Sequence, residues 1–416
     1  MGALLAPRTT TLRIRADKRQ RAIAHFGLAS KKRCKRGRMK IDEIILREIG
    51  MRLKAPFETS FGTISGRRIA LIEARCEGVS GWGELTAAEG PFYNSETTDT
   101  AWTVLCQFLA PLALGKGIKT ASEVMRLLER VRGHEMAKAA LETALWDVEA
   151  RQKELPLWKL IGGTRPEIAC GVSLGIRRDT SELLAAVEKE LNDGYQRVKI
   201  KIKPGKDLAF VAAVRKQFPK TRLMADANSA YRLADTEFLQ KFDAFDLMML
   251  EQPLEWDDMY HHSKLQPLLK TPICLDECIH NPDHAEAAVN LGACRIINIK
   301  LGRVGGHAHA KQIEEFCRSR GVSVWCGGML ETGIGRAHNV AMSTLPGFAL
   351  PGDVSASQRY WEEDLIEPEV EVTRNGTIRV PTAAGIGYAV RTKRIEQLTT
   401  RRETLRAASR GVPVAG

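Results

Sequence analysis

Short apolar runs alternate with amphipathic segments over the larger, second part of the chain. After Pro166 eight such runs follow one another: ACGVSLGI, RVKIKIKP, RLMADANS, LMMLEQPL, PICLDECI, RIINIKLG, VSVWCGGM and, more weakly, FALPGDVS. Apolar runs that alternate with helical segments are typical of parallel strands. The pattern predicts an α/β fold, a (β/α)8-type (TIM-like) barrel. A doubly wound sheet is the alternative, but no G-x-G-x-x-G motif follows the first run.

The first part of the chain has a different pattern. Two strand-like runs, EIILREIGMRL and RIALIEARCE, flank a loop of small and polar residues, APFETSFGTISG. Farther along, apolar residues in GHEMAKAALETALWDVEARQKE recur at helical spacing. These features predict a small α+β capping domain. We therefore predict five ranges: a basic, disordered extension at 1–38, the capping domain at 39–160, the barrel at 161–365, a return to the capping domain at 366–395 and a basic tail at 396–416.

One apolar run carries lysine on a complete face. In RVKIKIKPG, Lys199, Lys201 and Lys203 share one side of the strand, and apolar residues occupy the other. Both faces of a barrel strand are buried. We therefore expect the lysines to point into the barrel and to face carboxylates.

Charged residues recur at a nearly constant interval near the ends of five successive runs. They are separated by 25, 25, 25 and 24 residues, about one β/α unit each: Lys201, Asp226, Glu251, Asp276 and Lys300. In a barrel this interval places all five at one height around the mouth, where active sites form.

The middle three of these residues, Asp226, Glu251 and Asp276, are carboxylates on adjacent strands. Such carboxylates repel one another in a cleft of low dielectric constant, and a divalent cation relieves the repulsion. Oxygen ligands without His or Cys favour Mg²⁺, with Mn²⁺ second. Taken singly, each acid is better explained as a helix cap or a lysine partner. The regular interval favours a metal site.

Lys201 and Lys300 lie one strand before and one strand after the carboxylates. Positive neighbours and burial lower the pKa of a lysine, which suits a general base. Two such lysines beside a metal indicate removal of a proton α to a carboxylate, with the metal stabilising the enediolate. The alternative is that lysines only balance the acids, and it applies best to Lys199 and Lys203.

The formal net charge of +12 is unevenly distributed. Residues 1–38 hold twelve Lys and Arg against one acid, and the residues from Arg391 onward hold seven against two. The remaining residues, 39–390, carry a small negative charge, so the globular part does not suggest binding to nucleic acid. The basic N-terminal residues lack the apolar stretch of a secretory signal. We expect a disordered arm or residues upstream of a true start at Met39, and a transit peptide is the alternative.

Two further features point to a cytoplasmic protein. No run approaches the ~18 apolar residues of a membrane span. The nine cysteines are scattered, and Cys274 and Cys278 lack a second pair at zinc-finger spacing. Buried free thiols in a reducing compartment are the expected interpretation.

Several motifs, taken together, resemble the enolase superfamily in its muconate-lactonising-type subgroup. They are VKIKIKPG, ADAN, LEQPL, CLDE, NIKLGRVGG and VWCGGMLETGIGR. More narrowly, residues 39–390 resemble the family of o-succinylbenzoate synthases and N-succinylamino-acid racemases. The resemblance implies a homo-oligomer, an acid/base pair and three Mg²⁺ ligands, at Lys201 and Lys300 and at Asp226, Glu251 and Asp276.

The resemblance also implies a small carboxylate substrate that bears a succinyl group. Contacts to the substrate are expected from Phe61 in the covering loop 57–63, from Ser173, and from the backbone of Gly328 and Met329. Supporting roles are expected for four more residues: Lys199, Asn228, Glu277 and Arg303. The last matches an arginine that the family associates with racemase ability through a cation near the second lysine. A surface arginine is the alternative.

Within the family, we expect dehydration of 2-succinyl-6-hydroxy-2,4-cyclohexadiene-1-carboxylate to o-succinylbenzoate, a step of menaquinone biosynthesis. N-succinylamino-acid racemisation is the alternative or a second activity. Dipeptide epimerases carry an Asp-x-Asp motif, which here reads Asp353-Val354-Ser355. Muconate cycloisomerases lack the close match in VWCGGMLETGIGR and RGHEMAKAALE. A basic nucleic-acid-binding arm on an inactive barrel is disfavoured because the lysine pair and the three carboxylates are intact.

Overall fold

The structure, a computed structural model, describes residues 38–60 and 62–407. The predicted extension at 1–38, apart from its last residue, lies outside these ranges, as does the end of the predicted tail at 396–416. In the described ranges, every helix is too short or too polar to cross a membrane. The eight cysteines found there are all free thiols.

An antiparallel sheet, called the cap sheet here, contains the first strands of the chain. Its strands are β1 (Met39–Thr59), β2 (Gly62–Cys76), β3 (Val79–Leu85), β4 (Gly117–Ile118) and, from the far end of the chain, β16 (Thr399–Arg406). The order is β16-β1-β2-β3, and β4 pairs with β1.

Helix α4 packs against the cap sheet at unusually short range. The cap helices are α1 (Thr98–Val104), α2 (Ala110–Ala113), α3 (Val124–Leu128), α4 (Glu135–Gln152) and α5 (Leu157–Ile161). A Cβ on Gly83 would lie 2.1 Å from the carbonyl oxygen of Ala140, so only glycine lets β3 approach α4 this closely. As a result α4 is buried on all sides, from Met136 to Ala150.

Parallel strands form the barrel. After β5 (Glu167–Ala169), seven strands pair in chain order: β6 (Gly171–Leu174), β7 (Arg197–Lys201), β8 (Leu223–Asp226), β9 (Leu250–Glu251), β10 (Ile273–Leu275), β11 (Ile296–Ile299) and β12 (Ser323–Cys326). The ring is closed at the predicted eighth position by Gly352 and Asp353. The N–H of Asp353 donates to Cys326 at 2.7 Å, and the carbonyl of Gly352 accepts from Gly171 at 2.7 Å. The predicted TIM-like barrel with an α+β cap is confirmed.

Helices follow the barrel strands and cover their outer faces. They are α6 (Thr180–Asn192), α7 (Leu208–Gln217), α8 (Thr236–Leu239), α9 (Met259–Leu265), α10 (Pro282–Asn290), α11 (His307–Ser319) and α12 (Gly333–Met342). The chain then ends its described part with β13 (Ile366–Glu367), β14 (Thr377–Arg379), β15 (Ala389–Val390), α13 (Thr392–Leu398) and β16.

The structure differs from the sequence prediction at the C-terminal end. Residues 399–406, expected within a basic tail, form strand β16 and pair with β1. Arg406 contacts Glu43 on β1 at 2.7 Å. Because the side chains of β16 are mostly polar and exposed, the strand lacks the apolar alternation by which β-strands are recognised in sequence.

Buried carboxylates of the cap hold the starts of barrel helices. Glu142 on α4 accepts the backbone N–H groups of His307 and Ala308, both at 2.9 Å. Glu84 on β3 accepts the N–H groups of Thr332 and Gly335 at 3.0 and 2.9 Å. Each carboxylate satisfies donors that the helix itself leaves unpaired, and so fixes the cap to the barrel.

Replacing Glu142 with Gln is expected to weaken the dependence of stability on pH. Burial raises the pKa of Glu142 to about 8, whereas glutamate in an unfolded chain titrates at about 4.3. Between these values the folded protein binds more protons than the unfolded chain, so its free energy of unfolding falls as pH rises through about 8. Urea unfolding between pH ~6 and ~8 is expected to show a slope about 1 kcal/mol per pH unit steeper in the wild type than in the variant.

The matched control is Glu149→Gln. Glu149 is also buried on α4, but it contacts Lys153. We expect the slope of the wild type in this control. Equal slopes in the wild type and in Glu142→Gln would contradict the prediction.

Candidate active site

The charged residues at nearly constant sequence intervals lie side by side at the ends of the barrel strands. Lys201 and Asp226 are the last residues of β7 and β8 and are register partners. Asp226 is in turn the register partner of Glu251, the last residue of β9. Asp276 follows β10 and Lys300 follows β11 directly. The structure thus brings all five to one end of the barrel.

Two of the three lysines of the stripe, Lys199 and Lys201, have their side chains buried inside the barrel. Lys199 and Lys201 are 3% and 7% exposed. The alternating apolar residues Val198, Ile200 and Ile202 are fully buried on the face opposite the lysines. Lys203 lies beyond β7, is partly exposed and contacts Glu58 at 3.2 Å. The stripe therefore faces the interior only as far as the end of the strand.

Lys199 lies at the centre of the buried charges. Its Nζ is 2.9 Å from Glu251, 2.9 Å from Asp353 and 3.2 Å from Asp226. Burial alone would lower the pKa of Lys199, but the three carboxylates outweigh it and hold the pKa above its usual range. Lys199 is thus a permanent cation that neutralises the acids around it.

Lys201 is held by two oxygen atoms. Its Nζ donates to Oδ2 of Asp226 at 2.5 Å and to Oδ1 of Asn228 at 2.6 Å. The amide of Asn228 donates in turn to Oε1 of Glu277 at 2.8 Å. Burial lowers the pKa of Lys201.

Lys300 occupies a different environment. Its Nζ donates to Oδ2 of Asp276 at 2.8 Å and to the hydroxyl of Tyr93 at 3.0 Å, and it lies 4.3 Å from the centre of that ring. Burial opposes the positive charge, but Tyr93, Glu277 and Glu251 together raise the pKa of Lys300. The pKa of Lys201 is thus lowered, which favours its neutral amine, whereas the pKa of Lys300 is raised, which favours its ammonium form.

Arg303 is buried, which excludes the alternative of a surface arginine. It is 1% exposed, and its guanidinium donates to Oδ1 of Asp276 and, at 2.9 Å, to the hydroxyl of Tyr93. It therefore contacts Lys300 only through the partners that both side chains share.

The three carboxylates of the metal hypothesis are fully buried at adjacent strand ends. In the described ranges, however, no group of three or more His, Cys, Asp or Glu side chains is arranged to chelate a metal. Lysines contact Asp226, Glu251 and Asp276 instead. Positive charge in the form of ammonium groups compensates the acids at short range.

The donor set nevertheless fits a divalent cation. Burial first, and then the charge of Asp226, raises the pKa of both Glu251 and Glu277. Oε2 of Glu277 has no hydrogen-bond partner among the described residues. Burial thus disfavours the charged forms of these acids, and a divalent cation beside them would offset that cost. Hard oxygen ligands suit Mg²⁺.

A small cavity opens among these residues. Its volume is about 60 Å³, far below the ~300–1,000 Å³ of typical ligand pockets, so a substrate must displace neighbouring side chains. Its lining residues include Lys199, Lys201, Lys300, Ser173 and Gly328. Both predicted acid/base lysines thus border one space.

The predicted substrate contacts are only partly brought together. Ser173 and Gly328 line the cavity, and Oγ of Ser173 has no hydrogen-bond partner among the described residues. Met329 is half-buried but is not part of the lining. Phe61 lies outside the described residues.

Sequence reasoning missed several residues at the site. Tyr93 comes from the cap segment PFYNSE, whose apolar and polar residues show no periodicity that would indicate it. Arg336 and Tyr360 also line the cavity. Asp353 pairs with Lys199 and, at 2.7 Å, with Arg197, and a count of barrel strands to the eighth position could have found it.

Two family models match the chain. Residues 41–162 match the mandelate racemase / muconate lactonizing enzyme N-terminal domain, and residues 182–394 match the enolase C-terminal domain-like family.

Similar proteins extend over nearly the same range. The chain is 54% identical over 360 residues to an o-succinylbenzoate synthase from Geobacillus kaustophilus, which covers 86% of this chain and 96% of that protein. It is 45% identical over 363 residues to an N-succinylamino acid racemase from Amycolatopsis sp, covering 87% and 98%. A solved structure of an enolase superfamily member from Listeria innocua matches with a TM-score of 0.86 at 42% identity, covering 89% of this chain and 100% of that one. The chain therefore belongs to the enolase superfamily, with the domain pair of mandelate racemase and muconate lactonizing enzyme.

Proposed function

We propose that the protein is a lyase that converts 2-succinyl-6-hydroxy-2,4-cyclohexadiene-1-carboxylate to o-succinylbenzoate, a step of menaquinone biosynthesis. The observation that carries the proposal is the convergence of Lys201 and Lys300 on one buried cavity with carboxylates behind them. The similarity to an o-succinylbenzoate synthase at 54% identity supports this choice of reaction.

We assign the base to Lys201, because Asp226 and Asn228 orient its Nζ. The neutral amine takes the proton α to the substrate carboxylate, and the electron pair of that C–H bond forms an enediolate. The C–O bond of the ring hydroxyl then breaks, and the ammonium of Lys201 returns the proton to the departing hydroxide as water. The product ring is aromatic, which makes the step favourable.

Lys300 acts as a fixed cation in this reaction. Asp276 and Tyr93 hold its ammonium at the edge of the cavity. A preorganised positive charge stabilises the anion that forms on the substrate and costs no reorganisation during the reaction.

Asp226, Glu251 and Asp276 would hold Mg²⁺, and Mn²⁺ is an expected substitute. When bound, the ion supplies positive charge beside the substrate carboxylate. Lys199 contacts two of these acids, Asp226 and Glu251, and compensates part of their charge.

The succinyl group would lie towards Ser173 and the loop after β12. The hydroxyl of Ser173 has no hydrogen-bond partner in the described part of the chain, so it is available to a polar ligand. Phe61 and Met329 stay predictions as substrate contacts.

N-succinylamino-acid racemisation is the second candidate. It needs both lysines to exchange protons with the α-carbon, from opposite faces of the substrate. The buried contact of Arg303 with Asp276 favours it, because this cation shares a carboxylate with Lys300. The relative from Amycolatopsis sp carries this activity in its name.

Dipeptide epimerisation and muconate cycloisomerisation are less well supported. Asp353, the remaining acid of the epimerase motif, is already bound by Arg197 and Lys199. Apart from residues 399–406, which form β16, the predicted domain ranges stay predictions, as do a cytoplasmic location and a homo-oligomeric state.

The first test is steady-state turnover of the cyclohexadiene substrate by the full chain. We expect a kcat/KM above about 10⁴ M⁻¹s⁻¹ with Mg²⁺, loss of turnover after dialysis against EDTA, and its return when Mg²⁺ is added. The reason is that the buried carboxylates need the cation before an anionic substrate can enter. A folded, Mg²⁺-loaded protein without turnover would overturn the synthase assignment.

Replacement of either Lys201 or Lys300 by Ala is expected to lower kcat about 1000-fold or more, since each removes a group that acts on the reacting atoms. The control is Lys203→Ala. It belongs to the same lysine stripe but lies outside the cavity beside Glu58, so we expect kcat within about threefold of the wild type. Circular dichroism checks that all three variants fold. An active Lys201→Ala protein is incompatible with the mechanism.

The racemase candidate is tested by exchange of the α-proton in D₂O, measured by NMR on each enantiomer of an N-succinylamino acid. If the lysines serve opposite faces, each Ala variant is expected to lose exchange with one enantiomer only, because the other base is still in place. Absence of exchange in the wild type would exclude racemisation as a second activity.

A further inference from the structure

The loop between β12 and α12, residues 327–332, forms one wall of the cavity. Gly328 and Leu330 line it, and Leu330 has a positive φ of 56°. A Cβ on Gly327 would lie 2.3 Å from Oδ1 of Asn298, so the loop starts in close contact with the barrel. This backbone is shaped by its surroundings and not by its own residue preferences.

Three consecutive backbone donors in the middle of this loop are unused. No hydrogen bond among the described residues involves the N–H groups of Gly328, Met329 or Leu330. All three residues are only half-buried. Successive unpaired N–H groups beside a cavity form a site for an anion.

Arg67, on strand β2 of the cap, binds the backbone of this loop. It is 7% exposed, and one of its terminal nitrogens donates to the carbonyl oxygen of Met329. The other donates to the carbonyls of Thr86 and Ala87, both at 3.1 Å. One guanidinium thus joins a barrel loop to a cap segment.

Arg67 binds backbone carbonyls and forms no salt bridge among the described residues. Every hydrogen bond that Arg67 makes within the described ranges goes to a main-chain carbonyl. Glu84 and Glu331 act on it only through space, and they have other partners: Thr332 and Gly335 for the first, Asn339 for the second. The two terminal nitrogens of arginine lie at a fixed spacing in one plane and so reach carbonyls on two separate segments, whereas the donors of an ammonium group all lie on one nitrogen.

The direction of the Met329 carbonyl decides the direction of the next N–H group. In a trans peptide the C=O of one residue and the N–H of the next point to opposite sides. Because Arg67 binds the carbonyl of Met329, the N–H of Leu330 points away from Arg67. A rotation of this peptide would turn the carbonyl towards the position of the N–H.

The guanidinium of Arg67 also contacts the cap segment that carries Tyr93, the partner of Lys300. Thr86 and Ala87 begin the cap segment that leads to Tyr93, whose hydroxyl accepts from Lys300 at 3.0 Å. Arg67 therefore connects the wall of the cavity with the segment that holds Lys300.

We propose that Arg67 is a positioning residue for substrate specificity. By holding the Met329 carbonyl, it fixes the N–H of Leu330 on the opposite side of that peptide, where it is available to the terminal carboxylate of a succinyl chain. This inference rests on the proposed function, because the ligand class is taken from it. Arg67 itself does not touch the substrate.

The test compares two ligands that differ only at the chain end, o-succinylbenzoate and 2-butyrylbenzoate, which has a methyl group in place of the terminal carboxylate. Calorimetry on the full chain with Mg²⁺ gives their dissociation constants. We expect the wild type to prefer o-succinylbenzoate strongly. Arg67→Lys is expected to weaken o-succinylbenzoate binding about tenfold and 2-butyrylbenzoate binding less than twofold.

Arg47→Lys is the matched control. Arg47 is also a buried arginine of the cap sheet, on β1, but it contacts Glu73 and Glu396 and not the loop. We expect it to lower the melting temperature without changing the ratio of the two dissociation constants. If Arg67→Lys does not fold, Arg67→Gln, which keeps a planar donor, is measured instead.

The outcomes separate this inference from the proposed function. A wild type that neither turns over the cyclohexadiene nor binds o-succinylbenzoate contradicts the proposed function. An active wild type whose ligand preference is the same in a folded Arg67 variant contradicts only the positioning role. A wild type without preference between the two ligands also overturns it.

Discussion

The burial of like charges at one end of the barrel is the constraint on which the structure depends. Fully buried carboxylates on adjacent strand ends repel one another strongly, and Lys199 keeps them together through contacts to Asp226, Glu251 and Asp353. Lys201 and Lys300, the lysines of the proposed mechanism, are therefore not the only cations beside these acids. A neutral residue at Lys199 would leave Glu251 without an ammonium partner among the described residues, which is costly in an interior of low dielectric constant. Asp226 and Asp353, in contrast, would keep Lys201 and Arg197.

The cap completes what the barrel strands begin. Its carboxylates bind the first turns of α11 and α12, and its Tyr93 reaches Lys300. The strands therefore set the height of the charged groups, whereas the cap sets the orientation of the loops around them. This division agrees with the general behaviour of barrel folds, in which the scaffold stays constant and loops determine the substrate.

The sequence predicted the barrel and the positions of Lys201 and Lys300 because both follow from periodicity. Alternation within a strand and a 25-residue repeat between strands are local signals. The long-range contacts left no such signal: Tyr93 lies in an irregular segment, and Arg67 is an ordinary residue of a strand whose partner, Met329, is 262 residues away. The sequence also predicted that lysines face the carboxylates, but not the contacts of Arg197 with Asp353 or of Arg303 with Asp276, because such pairs depend on side-chain geometry that spacing does not contain.

The pairing of β16 with β1 has a consequence for the synthesis of the protein. Thr400 donates to the carbonyl of Glu48 across a separation of 352 residues. While the ribosome produces the barrel, β1 has left the exit tunnel but this side of it has no partner. An unpaired strand edge invites association with other nascent chains. Charged side chains on an edge strand disfavour pairing with another chain. The charged residues of β1, among them Glu43, Arg47 and Glu48, therefore protect this edge from aggregation until β16 has been synthesised and pairs with it.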